Sequence, residues 1–592
     1  MRKLSLLTSI LFTPILLVAC AHANATAPCP ATPSATPNTN ASANANANAA
    51  PNANAPLLTL LVRPIPSPTA LVHIELDLSG AAAPLGAWHI ARGTADRIAH
   101  AAARDSDGDV SVTAANANNG VDLTLARATS GPTHLAYDVL AAGDAPDDPL
   151  GVLVLDDRFR GAGESLVALP SAIEDTPMPF ALRIDADALH GVSASSLGVG
   201  AVKRTPLQPR ALRYASFIAG SLGAMVIDDP AAGHDEGAWL GYTAFDARPV
   251  VAEIAQTRTA IRESLKSRDE SPWTYLFVSQ TRPIGSFSTT PRSASVLVQV
   301  GPSEPWTAPL RMSVAQQIAR RWIGGVTRVA TDAGHEPEGW WFSEGVGRYF
   351  VTRVLSHAGL LAPDDVRDAI AGELSVLATS PHRAKSNAEL AAIAAKDDVA
   401  RATLMARGAL YALHESAAIR ARTKGDHGIE AVLAALVLRA EDDKLRTFTA
   451  AEWTAALAKD DPDAARAFDA LVVKGEPAVL QAGALGPCFR AGTGDYVAYD
   501  PGFDVEATRA SKEARVAGVR ADGPGAKAGL REGDVLVSMN TRDGDASVPV
   551  KIVVTRGTAE VSITYAPKGA HGKGQTWTRV RGIADDRCGE IP

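Results

Sequence analysis

The sequence lacks runs of basic residues, and its overall charge is acidic. Lys and Arg together number 57 against 65 Asp and Glu, which gives a formal net charge of -8. Nucleic acid needs clustered cations that replace its counterions, so it is not expected as a partner. Hydrophobic residues make up 46% of the chain and charged residues 21%, which is enough apolar material to bury a core. Because 592 residues exceed what one core usually organises, we expect a protein of several domains.

The apolar stretch at the N-terminus is too short to span a membrane. Residues 1–3 include two positive charges, and residues 4–18 are mainly apolar, with a break at Pro14. A membrane-spanning helix needs about 20 predominantly apolar residues, whereas a positive start followed by a short apolar segment is typical of a secretory signal peptide. We therefore expect the protein to be exported.

The end of this leader, Leu17-Val18-Ala19-Cys20, resembles the bacterial lipobox. The resemblance implies that residues 1–20 are a lipoprotein signal peptide and that Cys20 receives a diacylglycerol, which would anchor the protein to a membrane because two or more acyl chains bind a bilayer stably. Ala21 in place of Asp resembles the pattern sorted to the outer membrane, facing the periplasm or the cell surface. Ordinary cleavage beside a chance cysteine is the alternative. Residues 21–56, rich in Ala, Asn and Pro, predict a disordered linker.

Cysteine is scarce, and only two of the four cysteines belong to the folded part of the chain. Cys20 and Cys29 lie in the leader and the linker, whereas Cys488 and Cys588 lie near the C-terminus. In an exported protein the second pair predicts one disulfide, closing a loop of about 100 residues and worth ~4 kcal/mol on the chain-entropy account. Two buried free thiols are the alternative. Cys29 has no explanation.

The rest of the chain predicts a multidomain α+β protein without internal repeats. Residues 57–246 contain short alternating runs between turn clusters, which indicates an N-terminal β-rich domain. Residues 247–480 change to helical spacing around a buried strand at 275–279, so we expect a mixed domain with a helical end. The sequence Thr449-Ala-Ala-Glu452 is a capping box that starts one of these helices. Residues 486–592 return to strands.

The segment of residues 314–324, VAQQIARRWIG, resembles the zinc helix of the gluzincin metallopeptidases. In those enzymes the pattern is V-x-H-E-x-x-H-x-W-x-G, in which two histidines bind zinc and the glutamate activates water. Here Gln316 stands at the first histidine, Gln317 at the glutamate and Arg320 at the second histidine. Downstream, residues 339–350 resemble the second helix of the same enzymes, and Glu344 keeps the position of the third zinc ligand.

Within the gluzincins, the chain is most similar to the glycyl aminopeptidase family. That family joins an N-terminal β domain, a thermolysin-like domain with a helical end and a C-terminal PDZ domain, which is the order predicted here. Residues 406–411, ARGALY, resemble the segment in which these enzymes carry Tyr-x-Lys-Gly, and Met405 takes the place of the transition-state tyrosine. Residues 285–290 lack both the acid and the histidine of the family's substrate-binding Gly-Gly-Leu-Glu-His stretch.

The remaining residues predict that the zinc site is lost. Zinc needs three protein ligands of N, O or S type, and the guanidinium of Arg320 cannot be deprotonated to serve as one. No two of the thirteen histidines lie within four residues of each other, so no second motif replaces it. We expect either that Arg320 pairs with Glu344 where zinc joined the two helices, or that Arg348 takes the carboxylate as a helical i, i+4 pair.

Residues 522–536, DGPGAKAGLREGDVL, resemble the hallmark segment of bacterial PDZ domains. The resemblance makes residues 501–505 a candidate carboxylate-binding turn and first groove strand, with Gly502, Phe503 and Val505 as the candidate peptide groove. PDZ domains bind peptides by strand addition beside a helix. Only residues 541–549 separate two predicted strands, which leaves little room for that helix.

These features together favour a membrane-anchored, non-catalytic peptidase homologue without a metal cofactor. It would bind a peptide or an envelope protein, or serve a structural role in the envelope. A zinc-dependent aminopeptidase with an altered active site is the alternative function, and a passive structural lipoprotein without a partner is a third.

Overall fold

The computed structural model describes residues 57–588 except 80–83, 142–147, 149, 230–232, 242–244, 281–284, 512 and 543. The lipobox, Cys20, Cys29 and the linker therefore lie outside the described residues. Within the described part, no helix has both the length and the apolarity that crossing a bilayer requires.

Two sheets form the N-terminal part of the fold. The larger has nine strands in the order β13-β10-β1-β2-β7-β4-β5-β6-β3, and the smaller has five in the order β12-β11-β14-β9-β8. In β1 and β2 every second residue is buried, because one sheet face covers a core and the other faces solvent. The elements are β1 (Leu57–Ile65), β2 (Leu71–Ser79), β3 (Ala87–Ile90), β4 (Ile98–Asp105), β5 (Gly108–Ala117), β6 (Gly120–Leu125), β7 (Thr133–Leu140), β8 (Leu153–Val154), β9 (Arg158–Ala162), α1 (Gly163–Leu166), β10 (Met178–Ile184), β11 (Val192–Ser195), β12 (Gly198–Val199), β13 (Val202–Leu207), α2 (Arg210–Arg213) and β14 (Ser216–Gly220).

A third sheet of five strands supports the centre of the molecule, in the order β15-β16-β17-β19-β18. Its strands are β15 (Leu222–Asp229), β16 (Gly233–Leu240), β17 (Trp273–Ser279), β18 (Ser288–Arg292) and β19 (Ser295–Val300). Strand β17 is buried on both faces, since Tyr275 and Phe277 pack under the helices and Leu276 and Val278 pack against the smaller N-terminal sheet. The predicted buried strand at 275–279 is confirmed.

This sheet corrects the predicted domain boundary at residue 246. Residues 222–240 alternate like the strands before them, but β16 pairs in parallel with β17, with Trp239 opposite Phe277. The last two strands of the predicted N-terminal β domain therefore belong to the sheet of the following part. Strand pairing over this distance depends on tertiary packing, which the local pattern does not encode.

Helix α3 lies between β16 and β17, and the other helices follow the third sheet, as predicted. They are α3 (Ala247–Ser264), α4 (Ala308–Ala319), α5 (Gly347–His357), α6 (Pro363–Thr379), α7 (Asn387–Ala394), α8 (Asp398–Arg422), α9 (Ile429–Asp442), α10 (Ala450–Leu457) and α11 (Ala464–Phe468). The capping box that starts α10 is present, and in it the backbone N–H of Glu452 donates a hydrogen bond to the hydroxyl of Thr449. A short ribbon pairs β20 (Arg328–Val329) with β21 (Thr447–Phe448).

The C-terminal part contains a long ribbon and a small module. Strands β22 (Phe489–Tyr499) and β26 (Lys568–Arg579) form the ribbon, and β23 (Val535–Asn540), β24 (Val550–Arg556) and β25 (Ala559–Tyr565) form the sheet of the module, with α12 (Val505–Ala510) and α13 (Pro524–Lys527). The module has its own core, which includes Phe503, Ile552 and Ile563. In contrast, Phe489 and Trp577 of the ribbon belong to the core of the helical part.

Candidate functional site

Helix α4 and the turn after it carry Gln316, Gln317 and Arg320. The helix ends at Ala319, so that Arg320 lies in the turn that follows. Trp322 holds this turn in place, because its indole is fully buried and stacks on Trp273 with ring centroids 6.3 Å apart. The three positions taken from the metallopeptidase motif therefore project from one rigid end of the helix.

Glu344 lies in a π-helical turn, Trp341–Val346, that runs directly into α5. Such turns are rare and cluster at functional sites. Aromatic residues on either side fix the turn. The ring centroids of Trp341 and Phe468 lie 4.9 Å apart, and those of Phe342 and Phe448 lie 4.8 Å apart. Glu344 itself is only 7% exposed.

Arg320 and Glu344 form an ion pair between the two helices. The guanidinium Nη2 of Arg320 contacts Oε1 of Glu344, so the pair predicted at the metal position is confirmed. The alternative is wrong, because Nη1 of Arg348 lies 2.9 Å from Oε1 of Glu373 on α6. The carboxylate of Glu373 also raises the pKa of the Arg348 guanidinium.

The two glutamines add hydrogen bonds around this pair. Nε2 of Gln316 donates to the backbone oxygen of Glu344 at 3.0 Å, and Oε1 of Gln317 accepts from Nη1 of Arg320 at 3.2 Å. The side chain at each of these positions thus contacts another protein group. Protein contacts therefore join α4 and the turn after it to the turn that carries Glu344.

A cavity of about 330 Å³ opens beside the pair. Glu344, Gln316 and Gln317 line one side of it, and Met405 on α8 lines another. Most of the remaining wall is apolar, formed by Phe287, Met312, Ile370, Leu410 and Leu413. The structure therefore brings Met405 together with Gln316, Gln317 and Glu344, as the resemblance implies.

The residues present do not fit zinc. Arg320 stands at the position of one histidine ligand of the pattern, and its guanidinium donates hydrogen bonds and accepts none. It already pairs with Glu344, the one carboxylate at a ligand position of that pattern. Across the described ranges, no three His, Cys, Asp or Glu side chains converge as metal ligands.

The candidate peptide groove is corrected by the structure. Gly502 adopts the left-handed conformation with a φ of +85°, but Phe503 is buried in the module core and Val505 begins a helix instead of a groove strand. The side chain of Asp504 caps that helix by accepting from the backbone N–H of Ala507 at 2.8 Å. The predicted first groove strand is therefore wrong.

The predicted disulfide between Cys488 and Cys588 is confirmed. Both cysteines are buried, and they close the base of the ribbon formed by β22 and β26. The module is thus enclosed between two covalently joined points.

Arg320 belongs to a group of five arginines that was not identified from the sequence. Arg292, Arg320, Arg321, Arg328 and Arg446 line a second, larger cavity on the other side of Gln317. They come from four separate segments of the chain, so no local motif joins them. The single local signal was the Arg320-Arg321 doublet.

No family model matches the sequence, and no curated protein matches it significantly. Solved structures do match. An aminopeptidase N family protein from Idiomarina loihiensis superposes with a TM-score of 0.65 at 15% identity, over 90% of this chain and 100% of that one. An M1 zinc metallopeptidase from Deinococcus radiodurans gives a TM-score of 0.43 at 17% identity, over 72% of this chain and 93% of that one.

The first of these similarities defines the class of the fold. This chain has a metallopeptidase-like, multidomain fold of the aminopeptidase N type over nearly its whole described length. At this identity the likeness concerns the fold, and the function has to be argued from the site.

Proposed function

We propose that the protein is a non-catalytic homologue of the gluzincin aminopeptidases that binds a peptide or a protein partner in the bacterial envelope. The ion pair between Arg320 and Glu344 supports this proposal most directly. In the metallopeptidase pattern a metal would join the same two helices, and here a guanidinium supplies the positive charge instead.

The chemistry of the neighbouring side chains supports the same conclusion. A hydrolase of this class needs a carboxylate to take a proton from water and a polar group to stabilise the transition state. Gln317 has no proton-accepting carboxylate, and the thioether of Met405 has no hydroxyl to donate. The apolar cavity beside them is a suitable size for a side chain of a bound peptide.

The same proposal includes the glycyl aminopeptidase-like arrangement with a PDZ-like C-terminal module. The hallmark segment forms a short helix and the strand β23, which is consistent with the resemblance. Residues 541–549 contain no helix in their described positions, and Val505 lies in a helix. Peptide capture by strand addition therefore has little support in this module, and the centre of the molecule is the better candidate.

We further propose that the protein is a lipoprotein of the outer membrane, anchored through Cys20 and separated from the bilayer by residues 21–56. Cys20→Ser should abolish metabolic labelling with palmitate and move the protein from the membrane to the soluble envelope fraction. Cys29→Ser is the matched control and should leave both properties unchanged. Unchanged labelling of the Cys20→Ser variant would refute the anchor.

The non-catalytic role is tested by zinc content and hydrolysis measured on the same preparation. Elemental analysis of the wild-type protein and of Glu344→Ala should find no stoichiometric zinc in either, and neither should hydrolyse aminoacyl reporter substrates. Stoichiometric zinc that disappears in Glu344→Ala would mean that other ligands complete a site around this carboxylate. In that case the protein would be an aminopeptidase with an altered active site.

A further inference from the structure

The larger cavity beside the ion pair is a cleft lined by arginines. It has a volume of about 950 Å³, and its wall includes Gln317, the turn after α4, the ribbon of β20 and β21, and the end of β18. Five guanidinium groups line it, from Arg292, Arg320, Arg321, Arg328 and Arg446. Among the residues that the structure describes, no lysine contributes to its lining.

Three of these arginines have their carboxylate partners outside the lining of the cleft. Nη1 of Arg292 lies 2.6 Å from Oε1 of Glu164. Nε of Arg321 lies 2.9 Å from Oδ2 of Asp269. Arg320 contacts Glu344. Each guanidinium has five N–H donors, of which the partner uses only some. The cleft surface therefore presents donors, while the compensating acceptors lie behind it.

One of these donors is buried and unsatisfied. The side chain of Arg292 is 4% exposed, and its Nε donates to the hydroxyl of Ser216 at 3.0 Å. Its Nη2 makes no hydrogen bond within the described part of the chain. A buried donor without an acceptor is costly, and Arg292 also lines the cleft.

The two outer arginines, Arg328 and Arg446, complete the donor surface. They are exposed and adjacent, since the backbone N–H of Arg328 donates to the carbonyl oxygen of Arg446 at 2.9 Å. Neither has a carboxylate within ion-pair distance among the residues that the structure describes. The acids that line the cleft are Asp332 and Glu336, both exposed.

We propose that this cleft binds an acidic segment of a peptide or protein, with its carboxylates on the arginines. The planar guanidinium matches a carboxylate with two parallel hydrogen bonds. The walls between the arginines include Trp340 and Val329, which suit a polypeptide with apolar side chains. Polynucleotides fit less well, because the whole chain carries a net charge of -8 and only two lining arginines lack a carboxylate partner.

This inference extends the proposed function, because it assumes that the site binds and names the chemistry of the ligand. The test uses fluorescence anisotropy with a fluorescein-labelled hexapeptide of alternating Glu and Leu. A second probe has Gln in place of each Glu, and a third is a single-stranded DNA oligonucleotide with the same dye. The acidic peptide should bind tightest, and added salt should weaken its binding.

Charge reversal at the two unpaired arginines provides the variant. The double change Arg328→Glu and Arg446→Glu should raise the Kd of the acidic peptide at least about tenfold. The matched control is Arg490→Glu with Arg581→Glu, which changes the net charge equally at two exposed arginines of the C-terminal part. The control should bind within about twofold of wild type, and circular dichroism should show that both variants are folded.

The outcomes separate the cleft from the proposed function. Equal binding of the Glu and Gln peptides, no binding of either, or equal loss in both double variants would overturn the cleft proposal. Tighter binding of the oligonucleotide would overturn it in favour of a phosphate polymer. Mass spectrometry of the peptide after incubation reports cleavage independently, so a cleaved peptide would refute the non-catalytic role and leave the binding result intact.

Discussion

Gly345 and Gly408 touch where the turn that carries Glu344 crosses helix α8. A Cβ atom on Gly345 would lie 2.6 Å from the Cα atom of Gly408, and a Cβ atom on Gly408 would overlap the backbone oxygen of Trp341. No side chain fits at this crossing, so the two backbones approach as closely as helices can. The contact holds the turn that carries Glu344 directly against α8.

Gly408→Ala should therefore destabilise the protein although it removes a helical glycine. The gain in helix propensity is about 1 kcal/mol, whereas forced overlap with backbone costs about 3 kcal/mol or more. Urea unfolding should show a net loss of about 2 kcal/mol or more. The control is Gly372→Ala in α6, where no atom lies within 4 Å of the new Cβ. It should stabilise the protein, and a stabilising Gly408→Ala would contradict the close approach.

The ion pair between Arg320 and Glu344 should show energetic coupling. Arg320→Met leaves the Glu344 carboxylate, whose side chain is 9% exposed, without its nearest cation. Because the Arg320 side chain is 39% exposed, we expect a loss of about 1–2 kcal/mol. The double variant Arg320→Met with Glu344→Gln should regain most of the lost stability. A double-mutant cycle in urea measures the coupling, and additive effects would mean that the two groups do not interact.

Restoring the metallopeptidase pattern should restore zinc binding. The triple variant Gln316→His, Gln317→Glu and Arg320→His would provide two imidazoles one helical turn apart, facing Glu344. Elemental analysis should find stoichiometric zinc, which should be lost when Glu344→Ala is added. Failure of a folded triple variant to bind zinc would show that the helices have moved too far from a metal-binding arrangement.

Glu415 should make the stability of the protein fall as the pH rises. Burial, with a further contribution from the charge of Asp461, raises the pKa of its carboxyl from 4.5 to about 8. Below pH 4.5 it is protonated in both states. Between pH 4.5 and about 8, the Glu415 carboxyl is ionised in the unfolded chain but protonated in the folded protein. The free energy of unfolding therefore falls by up to about 1.4 kcal/mol per pH unit in this range, and the fall ends once the pH exceeds 8.

Glu415→Gln should remove this component of the pH dependence. Urea unfolding at pH 5 and pH 8 should show a smaller difference between the two pH values for the variant than for wild type. Glu560→Gln on the exposed face of β25 is the control and should keep the wild-type difference. An identical profile for Glu415→Gln and wild type would contradict the raised pKa.

The disulfide should contribute substantially to stability. Cys488 and Cys588 are 100 residues apart, and closing a loop of this size is worth about 4 kcal/mol on the chain-entropy account. Cys488→Ser with Cys588→Ser should lower the free energy of unfolding in urea by a comparable amount. Peptide mapping without reduction should recover the two cysteines in one linked fragment, and their recovery as free thiols would contradict the bond.

The ion pair between Arg320 and Glu344 was predictable because the sequence signals around each residue are local. The family pattern placed Gln316, Gln317 and Arg320 at the positions of the zinc helix and paired them with Glu344, although α4 ends at Ala319 and Arg320 follows it. The helix at Val505 also had a local signal. Asp504 is a preferred N-cap residue followed by helix-forming residues, but the resemblance to a PDZ strand outweighed it.

Other features depend on contacts between distant segments. Strands β15 and β16 have the same alternation as the strands before them, and only the packing of β16 beside β17 assigns them to the central sheet. The arginine cleft has the same origin, since Arg292 and Arg446 are 154 residues apart in the sequence and meet only in the fold. The hydrophobic periodicity of a sequence does not predict contacts between distant segments.

The disulfide at the base of the ribbon also decides how the protein would respond to mechanical force. If the two ends of the folded body are pulled apart, tension passes directly from Cys488 to Cys588 through the sulfur bridge. The chain between them could otherwise extend by about 350 Å, yet it carries no load while the bridge is intact. The C-terminal module is therefore protected from stretching, and a reducing environment would release that hidden length.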